Sequence, residues 1–323
     1  MMKKKILALA LTMAIIIVVI SSIAFYFNNK DKSSDMKESQ IRVVTSFYPT
    51  YILMINLTDG IDELKVDSLT DFSAGCLHDY QLTTNDMKLL TNADVLVING
   101  GGMEEYLDDV KDNYPKLTVI DLSHNIPMLE SETHEGEENP HVWLDPELYM
   151  LQIENAKEGL TDYISHSDIG DSESDVITAL SSNAAEYLDK VSELADDMNQ
   201  ILDTVKDMVI NKSISNKVVV FHDSFAYLAN KAGLEVAYMV EVEEDTPLSA
   251  GEVAEIIRAI KDENIRYLFT EEQYDDTISD RIKDETNAKL YIIDSAVTGD
   301  TDKDSYLRAM RRNIEVLRKA FEE

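Results

Sequence analysis

Forty residues from Ser172 to Asn211 contain neither proline nor glycine, and within them apolar side chains recur every three or four positions. Ile177, Leu180, Ala184, Leu188, Val191, Leu194, Met198, Ile201, Val205 and Met208 form one stripe, which predicts a single unbroken helix. A helix that long cannot sit inside one small layer, so it constrains the rest of the chain to pack along it or at its two ends. With 323 residues and 44% hydrophobic composition, the chain exceeds what one core usually serves, and two domains are expected.

Both flanks show the same alternation. Before the helix, IRVVTSF, Leu64 to Leu69, ADVLVING and LTVIDLS read as strands, with helices at Pro49 to Thr58, Thr84 to Leu90 and MEEYLDDVKDNY. After it come KVVVFHD, LEVAYMV, IRYLFTE and KLYIIDS as strands. Helices are expected at SFAYLANKAG, SAGEVAEIIRAIKDEN, Thr277 to Thr286 and Ser305 to Phe321. Ser249 with Glu252 has the form of a capping box. ADVLVING is apolar at consecutive positions, as in a strand buried on both faces of a parallel sheet. The expected fold is therefore α/β: a first lobe at 41–171, a linking helix at 172–211 and a second lobe at 212–323.

The N-terminus carries a different signal. Lys3, Lys4 and Lys5 precede an uncharged run of 22 residues from Ile6 to Phe27, long enough to cross a bilayer. Residues 1–28 are expected to act as a signal or retained anchor and 29–40 as a polar tether. The positive-inside pattern then places the folded part on the outer face of the membrane. The only cysteine, Cys76, lies far downstream, so neither a lipid-bearing cysteine near the signal nor an internal disulfide is expected. A formal charge of -33 argues against nucleic-acid binding.

Of six histidines, three stand in contexts that present an imidazole: His78 in GCLHDYQL, His141 in NPHVWLDP and His222 in VVVFHDSF. His222 ends one predicted strand and Asp294 another, the sheet position at which α/β folds meet their ligands. Two residues come from each lobe, so a site between the lobes would take His78 and His141 from the first and His222 and Asp294 from the second. Three imidazoles and a carboxylate suit a divalent transition metal, zinc above others. The spacings are long and form no compact motif, so pattern alone leaves open whether the three histidines share a metal. His124 and His166 are read as structural, Cys76 as a buried thiol, and Gly100, Gly101 and Gly102 as a strand-to-helix turn rather than a phosphate loop.

The segments VVTSFYPTY, HDYQLTTNDMKLLTNADVLVINGGGME, NPHVWLDP, FHDSFAYLANKAGLE, TPLSAGEVAEIIRAIKDENIRYLFTEEQ and IIDSAVTGD occur in an order that resembles one known group. From Ile41 onward the chain looks like the zinc- and manganese-binding substrate-binding proteins of bacterial ABC transporters, the ZnuA/TroA-like cluster 9 family. That resemblance implies two lobes bridged by a rigid helix, with metal in the cleft between them. Carried across residue by residue, it implies His78, His141, His222 and Asp294 as ligands. Manganese-preferring relatives usually have a carboxylate at the position of His222, so histidine here favours Zn2+, with Mn2+ or iron as the alternative.

The chain departs from the family in two ways. The stretch SHNIPMLESETHEGEENP has only His124 and His134, where zinc-binding relatives often have a long histidine-rich loop. No cysteine follows the signal, where Gram-positive relatives are usually lipoproteins. The resemblance further implies a monomer that delivers its ion to an ABC permease driven by its ATPase subunit. Two rival readings are a surface adhesin on the same fold and a zinc hydrolase with Glu271 or Glu272 as general base. A fourth ligand at Asp294 would leave the hydrolase no position for activated water.

Overall fold

The computed structural model describes residues 40–322 apart from 74, 76, 78–79, 132–135, 241–248 and 272–275. The expected anchor, nearly all of the tether, Cys76, His78, His134 and Glu272 lie outside the described residues.

Two four-stranded sheets, each wholly parallel, form the two lobes. The first contains β1 (Ile41–Thr45), β2 (Leu64–Ser68), β3 (Val95–Ile98) and β4 (Thr118–Asp121) in the order β2-β1-β3-β4. The second contains β5 (Lys217–Val220), β6 (Glu235–Met239), β7 (Tyr267–Glu271) and β8 (Lys289–Ile293) in the order β6-β5-β7-β8. All four residues of β3 and all five of β7 are buried, as interior strands of covered parallel sheets require. In each sheet the order reverses between two central strands, β1 and β3 or β5 and β7. The crevice beyond their carboxyl ends is where such folds receive ligands.

Helices α1 (Tyr48–Leu57), α2 (Thr84–Asn92) and α3 (Leu107–Asn113) cover the first sheet's connections. The expected helix at MEEYLDDVKDNY starts late. Gly100, Gly101 and Gly102 all take positive φ, of 81°, 64° and 88°, and turn the chain out of β3 first. The buried Glu104 carboxylate holds that turn by accepting the N–H groups of Asn99 and Gly100 at 2.8 and 3.0 Å.

Helix α4 (Pro146–His166) has 21 residues and no counterpart in the strand and helix pattern above. Its start is marked by Asp145, whose carboxylate caps Glu147 N–H at 2.9 Å, with proline in the first turn. Its buried face mixes Tyr149, Gln152, Ile153, Ala156, Leu160 and Ile164, so polar and small residues dilute the apolar period. The long helix is α5 (Glu173–Ile210), 38 residues and roughly 57 Å at about 1.5 Å per residue. Its buried stripe runs through Val176, Leu180, Ala184, Tyr187, Val191, Leu194, Met198, Ile201 and Val205, while Ile177, Leu188 and Met208 pack at the margin.

Beyond α5 come α6 (Ala226–Ala232), closed by Gly233 in the left-handed region, α7 (Ala250–Glu263), α8 (Asp276–Glu285) and α9 (Ser305–Glu322). The capping box of α7 is present in both directions, Ser249 N–H to Glu252 at 2.7 Å and Glu252 N–H to Ser249 Oγ at 3.3 Å. The segment after β8 returns to the first lobe. Tyr48 donates to Asp300 O at 2.7 Å, and Asn56 Nδ2 donates to Lys303 O at 2.9 Å. Among the described residues no helix is long and apolar enough to cross a membrane.

Candidate metal centre

His141 and His222 meet with ring centroids 4.8 Å apart and planes at 81°. Two imidazoles bound through nitrogen at ~2.0–2.1 Å to one tetrahedral zinc would place their centroids roughly 5 Å apart. The observed spacing fits.

The path to that contact is local for each residue. His141 follows Pro140, is 1% exposed and precedes a single 3-10 turn at Val142–Leu144. Asn139 Oδ1 accepts both the His141 N–H at 3.0 Å and His141 Nδ1 at 2.9 Å. With Nδ1 as donor, Nε2 is the unprotonated nitrogen, the tautomer that a metal ligand needs. The other end of the same carboxamide donates from Nδ2 to Asp223 O at 3.0 Å, next to His222. Asn139 thus orients one histidine and links it to the segment that carries the other.

His222 owes its place to sheet register. Val220 on β5 pairs with Phe269 on β7, and two residues further on, His222 faces Glu271 across the switch point. His222 Nδ1 lies 3.0 Å from Glu271 Oε1 and 3.2 Å from Ser224 N–H. One Nδ1 cannot donate to the first and accept from the second. Burial acts to raise the Glu271 carboxyl, but the facing His222 and hydrogen bonds from His222, Ser224 and Ser295 outweigh it and hold it below the usual carboxylate range. When the His222 imidazole is neutral, an Nδ1–H that donates to the ionised Glu271 makes the stronger, charge-assisted bond and leaves Nε2 as the unprotonated nitrogen. Glu271, considered above as a general base, is buried and faces His222 Nδ1.

Asp294 emerges from β8 with its backbone held at both ends by Asn313. Its N–H donates to Asn313 Oδ1 at 2.8 Å, and Asn313 Nδ2 donates to its carbonyl at 2.8 Å. Its Oδ1 accepts Ala296 N–H at 2.8 Å, and its Oδ2 pairs with Arg312. Trp143 joins the two loops: its Nε1 donates to Ser295 O at 2.8 Å, while Tyr306 donates to Trp143 O at 2.7 Å. The structure therefore brings His141 and His222 ring to ring, ties the Asp294 loop to the His141 turn, and engages the Asp294 carboxylate with Arg312. Among the described residues no three His, Cys, Asp or Glu side chains are grouped to hold a metal. His78, the remaining expected ligand, is outside them. His166, on the last turn of α4, has a side chain 78% exposed that sits against Asp162.

Residues 43–320 match the family model described as ZnuA, zinc-uptake complex component A, periplasmic. The chain belongs to that family. The zinc-binding protein AdcA of Streptococcus pyogenes serotype M1 is 27% identical over 346 residues, which take in 98% of this chain and 61% of that protein. The chain thus spans less than two thirds of that relative's length. The high-affinity zinc uptake system protein ZnuA of Bacillus subtilis strain 168 is 25% identical over 304 residues, 88% of this chain and 89% of that one. In fold, the chain is similar to FpvC of Pseudomonas aeruginosa in complex with Mn2+, with a TM-score of 0.72 at 22% identity over 88% of this chain and 99% of that chain.

In this ZnuA-family chain, Asn139 is the candidate-site residue that sequence reasoning did not assign, and Glu271 entered that reasoning only as a general base, without its contact to His222. Asn139 stands two positions before His141 with a proline between, a spacing suited to a backbone-and-ring clamp. Glu271→Gln keeps the side-chain size but removes the charge that fixes the His222 tautomer. Zinc affinity is expected to fall about tenfold, the low end for a residue supporting a metal-bound histidine. Calorimetric titration of the variant against the parent chain measures it.

Proposed function

We propose that this protein is the extracytoplasmic zinc-capturing subunit of an ABC importer, which holds Zn2+ between its lobes and hands it to a membrane permease. The observation that carries this reading is the pair of imidazoles, His141 and His222, 4.8 Å apart, each with Nδ1 committed to a fixed partner. His78 and Asp294 complete the ligand set in this reading. Membership of a zinc-uptake family supports it, and so does similarity to the zinc-binding protein AdcA and the zinc uptake protein ZnuA.

Binding here is capture rather than catalysis. Three nitrogens and a carboxylate fill a tetrahedral shell, so no position remains for an activated water. The same donor set ranks zinc above manganese, which prefers more oxygen ligands. The acidic surface, at -33 for the whole chain, keeps the protein soluble and attracts cations toward the cleft. Export places that cleft outside the cytoplasmic membrane, held near the permease by the N-terminal segment. The lobe limits at 41–171 and 212–323, with 172–211 linking them, are part of this proposal.

Protons compete with metal for imidazole nitrogen. Histidine ordinarily titrates near pH 6.5, so affinity should be full above that value and fall as pH drops through it. We expect the metal-stripped full chain, in mild detergent, to bind one zinc at pH 7.5 and to bind it at least about tenfold more weakly at pH 5.5. Trp143 is the only tryptophan and its ring lies 5.2 Å from that of His141, so its fluorescence reports the site directly alongside calorimetry. Manganese binding tighter than zinc, or affinity indifferent to pH over this range, would refute the zinc assignment.

A further inference from the structure

Asp294 is the one carboxylate in the proposed ligand set, and it carries a cation of the protein's own. Its side chain is 18% exposed and paired through Oδ2 with Arg312, which projects from α9 with 61% of its side chain exposed. The guanidinium is not needed to aim the carboxylate. Asn313 fixes the Asp294 backbone from both sides, and Ala296, held at φ 54°, points its N–H at Oδ1. What Arg312 adds is charge: it neutralises part of Asp294 and repels any dication that approaches the same carboxylate.

We propose that Arg312 is a metal-selectivity residue, which weakens the site's only oxygen ligand and so disfavours Mn2+ more than Zn2+. This rests on the assignment of Asp294 as a ligand. Zinc draws most of its binding here from imidazole nitrogen and loses little when the carboxylate is partly neutralised. Manganese gains less from imidazole and depends more on oxygen, so the same neutralisation costs it more. Arg312 thus acts through Asp294, without touching the ion, to widen the gap between the two metals.

The test compares zinc and manganese affinities of the full chain, by competition with a fluorescent chelator, in the parent, Arg312→Gln, Arg312→Lys and Asp294→Asn. Arg312→Gln should tighten manganese by about fivefold and zinc by at most about twofold, the range set by a solvent-accessible ion pair. Arg312→Lys keeps the charge and should stay close to the parent. An unchanged or wider zinc-to-manganese ratio in Arg312→Gln, or weaker binding of both metals, would overturn the inference. Asp294→Asn separates the two layers of the argument. If it binds both metals as the parent does, Asp294 is no ligand and that assignment fails together with the inference. If it weakens both while Arg312→Gln leaves the ratio unchanged, only the role of Arg312 fails.

Discussion

Alanine at His222 is expected to weaken zinc binding by more than about 100-fold, beyond the 10- to 100-fold typical of removing a residue that merely supports a ligand. The change removes one of four proposed donors and leaves the shell incomplete. It also strands Glu271, which is 4% exposed and depends on His222 to stay ionised. A buried carboxylate deprived of its principal partner costs about 1–3 kcal/mol or more, or takes up a proton instead. Thermal melting of the metal-stripped variant should therefore show lower stability than the parent, independently of zinc. His166→Ala is the matched control: His166 is exposed at the end of α4, and its removal should leave affinity unchanged. If His222→Ala still bound zinc as the parent does, the pairing of His141 with His222 would not be a metal site. His222→Glu should move preference toward manganese, because it exchanges a nitrogen ligand for oxygen.

The contrast between His222 and Glu271 shows how far the sequence could be read. His222 was legible because it ends an apolar run that could only be a strand, and strand ends in α/β sheets face ligands. Its pairing with Glu271 was not, because the β5 to β7 pairing skips β6 in the sheet order, and a crossover leaves no trace in the local pattern. The same limit applies to Trp143 and Ser295, which meet across 152 residues of chain. Helix α5 was legible almost to the residue because its period survives over ten turns. Helix α4, though 21 residues long, was hidden. Its buried face includes Gln152, whose amide donates to Asn99 Oδ1 at 2.8 Å. Gly159 belongs to the same helix, where an added Cβ would lie 2.7 Å from Ile120 Cγ2. Those residues serve close approach and a buried hydrogen bond rather than apolar burial, so a hydrophobic period cannot find them. The glycine run at 100–102 was legible as a turn, but the carboxylate that holds it, Glu104, was not. That carboxyl is raised to about 7, mainly by burial, even though Ser46, Asn99 and Gly100 all bond to it.

Trp143→Ala should produce the largest loss of stability among these variants. The indole is fully buried, packs edge-on against Phe47 with centroids 5.3 Å apart, and stands beside His141. Truncating a buried tryptophan costs about 3–5 kcal/mol through lost transfer energy and the cavity left behind. Here the loss reaches the site as well, because the indole N–H is the bond from the His141 turn to the Ser295 carbonyl, one residue past Asp294. Trp143→Phe divides the effect: it retains most of the ring packing and removes the donor, so about 1–3 kcal/mol is expected from the carbonyl that loses this bond. Denaturant unfolding of the metal-stripped proteins gives both stability differences, and zinc titration by calorimetry gives the coupling. If Trp143 only filled space, Trp143→Phe would bind zinc as tightly as the parent. If it also sets the distance between His141 and Asp294, affinity should fall in Trp143→Phe by more than its stability loss alone can explain, even where the protein is fully folded.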